Sequence, residues 1–174
     1  MSARTGEGAE SWHATMFAGD MDLREAPDVD YEVYAEGEAL LGWLNAAARV
    51  SSGDAFDGNA LLRQIANEIQ ARVEAEGGEI AHLKMTLSPD EGNDLGVLNL
   101  VRGDGRPESM HQLQDELDDG ELLINLRAEA DPDVLRDAVL AALEGLAPVI
   151  EVNIVHTECF RPAKPQPTYR MATV

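Results

Sequence analysis

Alternating apolar and polar residues predict five β-strands, and two longer apolar stripes predict helices. The strands are expected at 42–51, 79–89, 95–102, 121–130 and 149–160, where side chains follow the two-residue period of a half-buried strand. The helices are expected at 56–78 and 131–147, with Asp57 and Asp131 as N-caps. Residues 103–120 are polar and predict a connection with one helical turn.

The order of these elements is strand–helix–strand, one extra strand, then strand–helix–strand. This order predicts an α+β fold, a ferredoxin-like sandwich in which an antiparallel sheet of about five strands carries both helices on one face. A single domain is expected at 28–160. Residues 1–27 show no period and predict a disordered or loosely docked N-terminal tail, while 161–174 predict an extended, proline-containing tail.

The strand period also divides the side chains between the two faces of the sheet. The face under the helices should carry Leu44, Ala46, Val50, Ala81, Leu83, Met85, Leu87, Leu98, Leu100, Leu122, Ile124, Leu126, Ile150, Val152 and Ile154. The open face should carry polar and cationic side chains. The binding residues predicted from it, with one from the tail that follows, are Asn45, Arg49, His82, Lys84, Asn125, Arg127 and Arg161.

The cations of the open face are notable because the chain as a whole is strongly acidic. The chain has 33 acidic and 13 basic residues, for a net charge of −20, which disfavours binding to nucleic-acid phosphates or anionic membranes. We interpret the open face as a binding surface for a protein partner, a second copy of the chain, or a small anionic ligand. The alternative is a solvated face whose cations pair with acidic neighbours. The acidic surface fits either a salt-rich cytoplasm or an ordinary acidic cytosolic protein.

One cysteine excludes an intramolecular disulfide and suits a reducing compartment. The chain has no apolar run long enough to span a membrane, and its first residues lack the apolar stretch of a signal peptide. These features together predict a cytoplasmic protein.

Cys159 suggests an alternative function in metal binding or transfer. Strand period predicts that Cys159 shares the open face with His82 and that His156 points towards the helices. Cys159 and His82 are therefore the candidate ligands for zinc or cobalt; otherwise no cofactor is expected. No acid–base pair or nucleophilic dyad stands out, so we do not expect an enzyme.

Three stretches resemble a known family: "AEGGEIAHLKMTLSPDEG", "ELLINLRAEADPDVLRDAV" and "ECFRPAKPQPTYR". They are similar to the C-terminal part of CobW-type GTPases, the cobalamin-synthesis and metallochaperone group, and the likeness extends from about Gly42 to Arg170. The chain has neither the phosphate-binding loop nor the Cys-x-Cys-Cys motif of that family. The resemblance thus implies a non-enzymatic accessory domain, connected with metal homeostasis, that either acts with a separate GTPase or has been reused for another role. The likeness is closest at His82, Lys84, Asn125, Arg127, Cys159, Phe160, Arg161 and Pro162.

Overall fold

A computed structural model describes residues 1–2, 5–18, 40–101 and 105–163 of the chain. The elements in chain order are α1 (Ala9–Phe17), β1 (Gly42–Phe56), α2 (Gly58–Ala75), β2 (Glu79–Pro89), β3 (Gly96–Val101), β4 (Glu108–His111), β5 (Leu117–Glu129), α3 (Pro132–Glu144) and β6 (Glu151–Phe160). None of the described helices combines the length and the apolar character needed to cross a membrane.

The strands form one six-stranded sheet in the order β4-β3-β2-β5-β1-β6, and every neighbouring pair is antiparallel. Helix α2 connects β1 to β2 with β5 lying between them, and α3 connects β5 to β6 with β1 between them. Each helix therefore crosses over one intervening strand. The predicted α+β class and antiparallel sheet are confirmed, with six strands in place of about five.

The additional strand is β4, in the segment for which the sequence predicted a helical turn. That prediction was wrong: Glu108 and His111 pair with β3, opposite Asn99 and Val97. The edge of β3 supplies backbone hydrogen-bond partners that a weak local pattern does not reveal. Strand β5 also begins at Leu117, earlier than predicted, and β1 continues to Phe56.

The core lies between the two crossover helices and one face of the sheet. Helix α2 contributes Leu62, Ile65, Ile69 and Val73 to one continuous apolar cluster, which also includes the buried side chains of β1, β2, β3, β5 and α3. No polar or charged side chain is buried among the described residues. Burial of this apolar face is the main force that holds the helices on the sheet.

Both crossover helices begin at the predicted N-caps. The Asp57 carboxylate accepts a hydrogen bond from the backbone N–H of Ala60 at 2.9 Å, and Asp131 accepts one from Asp133 at 3.0 Å. Pro132 occupies the first position of α3, where its missing N–H costs nothing. The local sequence signals and the tertiary structure agree at these two points.

Helix α1 forms in a segment where the sequence shows no amphipathic period, and none of its residues is buried. Its Trp12 and His13 rings lie 5.2 Å apart. Residues 3–4 and 19–27 of the predicted N-terminal tail lie outside the described residues. So do residues 164–174 of the predicted C-terminal tail.

Candidate binding surface on the open sheet face

A β-bulge in β2 corrects one prediction about the core. In the pairing with β5, Ile80 lies opposite Ala128 and His82 lies opposite Arg127, so Ala81 is the extra residue. A bulge inserts one residue and reverses the alternation on one side of it. Ile80 is consequently buried and Ala81 is exposed, so the prediction that Ala81 faces the helices was wrong.

A second bulge, in β6, has a larger effect on the candidate site. Ala47 pairs with His156 and Ala48 pairs with Ile154, which leaves Val155 as the extra residue. The alternation is reversed from this point to the end of the strand. His156 therefore lies on the open face, and Cys159 lies opposite Leu44 on the helix-covered face, contrary to both predictions.

The position of Cys159 bears directly on the metal-binding alternative. The cysteine is half-buried and packs against the apolar core, whereas His82 lies on the opposite face of the sheet. The two side chains cannot approach one metal ion from there, so their prediction as a ligand pair was wrong. Within the described ranges, no group of three or more His, Cys, Asp or Glu side chains is arranged to hold a metal ion.

Two neighbouring rows of side chains cross the open face. The first, which we call the cation row, runs through Val101, His82, Arg127, Trp43 and Phe160. The second, which we call the amide row, runs through Asn99, Lys84, Asn125, Asn45 and Glu158. The strand pairing puts the members of each row side by side because paired residues of antiparallel strands share a face.

Aromatic contacts organise the centre of the cation row. The guanidinium carbon of Arg127 lies 3.8 Å from the centre of the Trp43 ring, which is a close cation–π contact. The Trp43 and Phe160 rings lie 5.8 Å apart at 43°. Stacking on Trp43 restrains the Arg127 guanidinium but leaves its in-plane N–H donors available.

The two rows line a concavity of about 460 Å³. Its walls include Trp43, Asn45, His82, Lys84, Thr86, Leu123, Asn125, Arg127 and Phe160. Two buried polar atoms on this face, Trp43 Nε1 and Asn99 Oδ1, have no hydrogen-bond partner in the part of the chain that the structure describes. An unsatisfied buried donor or acceptor is costly, so these two atoms lower the stability of the fold.

The predicted binding residues separate into two groups. Asn45, His82, Lys84, Asn125 and Arg127 come together in the concavity. Arg49 and Arg161 do not line it. Arg49 forms an ion pair with Asp90, and Arg161 donates a hydrogen bond to the backbone oxygen of Ala130 at 3.3 Å.

Sequence reasoning missed two contributors to this surface. Trp43 and Phe160 line the concavity, but neither was among the predicted binding residues. A signal for the β6 bulge was present, since Ile154 and Val155 are consecutive apolar residues that end the alternation of 151–154. That break in period is what moves His156 and Phe160 to the open face.

The pKa of His82 lies below its ordinary value of 6.5. Partial burial is the main cause because it disfavours the charged imidazolium, and the positive charges of Arg127 and then Lys84 add to the effect. His82 is therefore neutral at pH 7. An anion bound near these three side chains would favour the protonated form and raise the pKa.

This lowered pKa predicts a pH dependence of stability. Between pH 6.5 and the pKa of the folded protein, the unfolded chain binds a proton at His82 and the folded chain does not. The free energy of unfolding should therefore fall as the pH drops through this window. Below the window, the contribution of His82 to the free energy of unfolding should no longer change with pH. Urea unfolding of the wild type and of His82→Gln from about pH 5 to 8 measures this contribution, because the variant lacks it.

A matched variant tests the cause of the shift. Lys84→Gln removes one of the two cations that act on His82, so the imidazole should titrate at a higher pH in NMR spectra of the variant. An unchanged His82 pKa in this variant would contradict the electrostatic effect assigned to Lys84.

The geometry thus describes a cationic, partly aromatic concavity on an otherwise acidic protein. Comparison of the chain with protein-family models, curated proteins and solved structures finds no match.

Proposed function

We propose that the open sheet face is a binding surface for an acidic segment of a protein partner. The observation that carries the proposal is that Lys84 and Arg127 have no carboxylate partner among the described residues, in a chain with a net charge of −20. Other arginines of this protein do have such partners: Arg49 pairs with Asp90, Arg72 with Glu68 and Arg136 with Asp133. A merely solvated face would be expected to pair its cations in the same way.

The chemistry of the concavity fits a carboxylate ligand. Arg127 offers directed N–H donors while its flat face rests on Trp43, and Lys84 adds a second positive charge in the adjacent row. Asn45 and Asn125 lie opposite each other in the same row as Lys84 and supply amide donors. Charge complementarity of this kind favours association with acidic partners over other proteins.

The proposal also includes the ferredoxin-like arrangement of the fold and the resemblance to CobW-type GTPases. The order β6-β1-β5-β2, with helices connecting β1 to β2 and β5 to β6, supports a ferredoxin-like arrangement to which β3 and β4 add an edge. The sequence resemblance supports a CobW-type GTPase as the source of the acidic segment. We therefore propose a non-enzymatic accessory role in metal homeostasis, in the cytoplasm.

Binding of a hexaglutamate peptide tests the proposal. Trp43 is the reporter, and Trp12→Phe removes the other tryptophan, so a change in fluorescence reports on the concavity. We expect saturable binding at low salt, and we expect Arg127→Glu or Lys84→Glu to weaken it about tenfold each, because charge reversal replaces attraction with repulsion.

Arg63→Glu is the matched control. It makes the same charge change at an exposed position on α2, away from the open face, and should leave peptide affinity nearly unchanged. Equal losses of peptide affinity in Arg127→Glu, Lys84→Glu and Arg63→Glu would show that affinity responds to net charge alone. That result would overturn the proposed surface. A purified CobW-type GTPase, tested against the same variants, examines the proposed partner separately.

A further inference from the structure

His82 lies between the two cations that the proposed ligand would contact. Arg127 is its pairing partner on β5, and Lys84 follows two residues later on the same face of β2. All three side chains line the concavity of about 460 Å³. On the other side of β2, the partner of His82 is Val101 of β3, which carries no charge. A histidine at this position can change the charge of the concavity between about pH 5 and 8.

Carboxylates also lie on the open face near these cations, beside the cation row or at the ends of the amide row. They are Glu79, Glu129, Glu108 and Glu158. Carboxylates favour the charged imidazolium form of His82, whereas burial and the charges of Arg127 and Lys84 disfavour it. Since the pKa of His82 lies below 6.5, the contributions that disfavour the charged form are the larger ones.

Protonation of His82 changes the concavity in two ways that matter to an acidic ligand. It adds a positive charge to those of Lys84 and Arg127, and it converts the imidazole into a group with two N–H donors. Because carboxylates surround these cations, one further positive charge is a large change in the local balance. A ligand carboxylate would therefore interact more favourably with the protonated site than with the neutral one.

We infer that protonation of His82 regulates this surface, so that the concavity binds a carboxylate ligand more tightly at pH 6 than at pH 8. The inference rests on the proposed function, because it concerns the regulation of the same site. The geometry that supports it is the position of His82 inside the concavity, between Lys84 and Arg127.

The direction of the pH dependence follows from linkage between the proton and the ligand. A bound carboxylate offsets the effect of Arg127 and Lys84 on His82, so the pKa of His82 is higher in the complex than in the free protein. Between these two pKa values, the complex holds a proton that the free protein does not. Affinity therefore rises as the pH falls through this window and is constant on both sides of it. Each unit of difference between the two pKa values corresponds to about tenfold in affinity.

Titration with hexaglutamate at constant ionic strength between about pH 6 and 8 tests the inference. The peptide remains ionised in this range, because glutamate has an ordinary pKa of about 4.3. Trp43 fluorescence in the Trp12→Phe background reports binding. We expect the peptide to bind at least about threefold more tightly at pH 6 than at pH 8, and His82→Gln to lose this difference. In NMR spectra of the full chain, saturation with peptide should raise the pKa of His82.

His156→Gln is the matched control, because His156 is an exposed histidine on the same face that lies opposite Ala47, two rows from His82. This variant should keep the pH dependence of the wild type. Circular dichroism verifies that both variants are folded. Equal pH dependence in the wild type and His82→Gln overturns the inference. So does a His82 pKa that does not change when the wild type is saturated with peptide, a measurement that needs no variant.

Sulfate separates this inference from the proposed function, because it is an anion that remains fully ionised in this range. Sodium chloride at equal ionic strength controls for screening. Hexaglutamate that binds equally well at pH 6 and 8 supports the proposed surface and overturns its regulation. Sulfate that raises the His82 pKa more than chloride does, with no binding of the peptide, supports a proton-linked anion site and contradicts binding of an acidic segment. If neither anion binds, both proposals are overturned.

Discussion

Replacing Leu122 with alanine is expected to lower the free energy of unfolding by about 2–5 kcal/mol, whereas Leu123→Ala should lower it by less than about 1 kcal/mol. The two residues are neighbours in β5, in the centre of the sheet. Leu122 is completely buried beneath the crossover helices, and its truncation leaves a cavity. Leu123 projects from the open face, where 37% of its surface already contacts solvent, so its truncation removes little packing.

Urea unfolding measures this difference. The two variants change the same number of atoms in the same strand, so each serves as the control for the other. Equal losses of stability would mean that both faces of β5 are covered in the monomer, which contradicts the open face.

The faces of the sheet were predictable where strands pair without interruption. Strand β5 keeps a strict alternation along 121–129, and the sequence assigned Leu122, Ile124, Leu126 and Arg127 to the correct faces. Assigning alternate residues to opposite faces of a sheet requires only that the backbone remain regularly pleated. For the same reason the prediction holds for Leu44 to Val50 in β1.

The errors arise where the pairing of neighbouring strands contains a bulge. Ala81 and Cys159 were assigned to the wrong faces because one extra residue, in β2 and in β6 respectively, shifts the register. Whether a strand accommodates an extra residue depends on its partners as well as its own sequence. The strand β4 was missed for a related reason, since β3 provides the hydrogen bonds that hold it.

The candidate site was therefore predictable in part. His82, Lys84, Asn125 and Arg127 lie on strand segments of regular register, and they meet as expected. The pairing of Arg49 with Asp90 was not predictable, because Asp90 follows β2 and comes close only in the folded sheet. This ion pair is informative, because it distinguishes a cation already satisfied by the protein from the two that remain available for a partner.

Replacing Gly42 with alanine is expected to lower the free energy of unfolding by about 1–3 kcal/mol, because the added methyl group has no room. It would lie 2.6 Å from the backbone oxygen of Ala130 and 3.0 Å from Leu135 Cδ1. A backbone oxygen cannot rotate away as a side chain can, so the start of β1 or the turn before α3 must move. Gly42 precedes Trp43 directly, so this movement should also disturb the contact between Trp43 and Arg127.

Gly53→Ala in the same strand is the matched control, because nothing lies within 4 Å of the added methyl group. It should be neutral or stabilise the protein by up to about 1 kcal/mol, since alanine restricts the unfolded chain more than glycine does. Chemical unfolding measures both stabilities, and Trp43 fluorescence in the Trp12→Phe background measures the effect on the concavity. A Gly42→Ala protein that is as stable as Gly53→Ala would contradict the close packing of β1 against the turn before α3. A large loss of stability with unchanged Trp43 fluorescence would instead locate the adjustment in that turn and leave the binding surface intact.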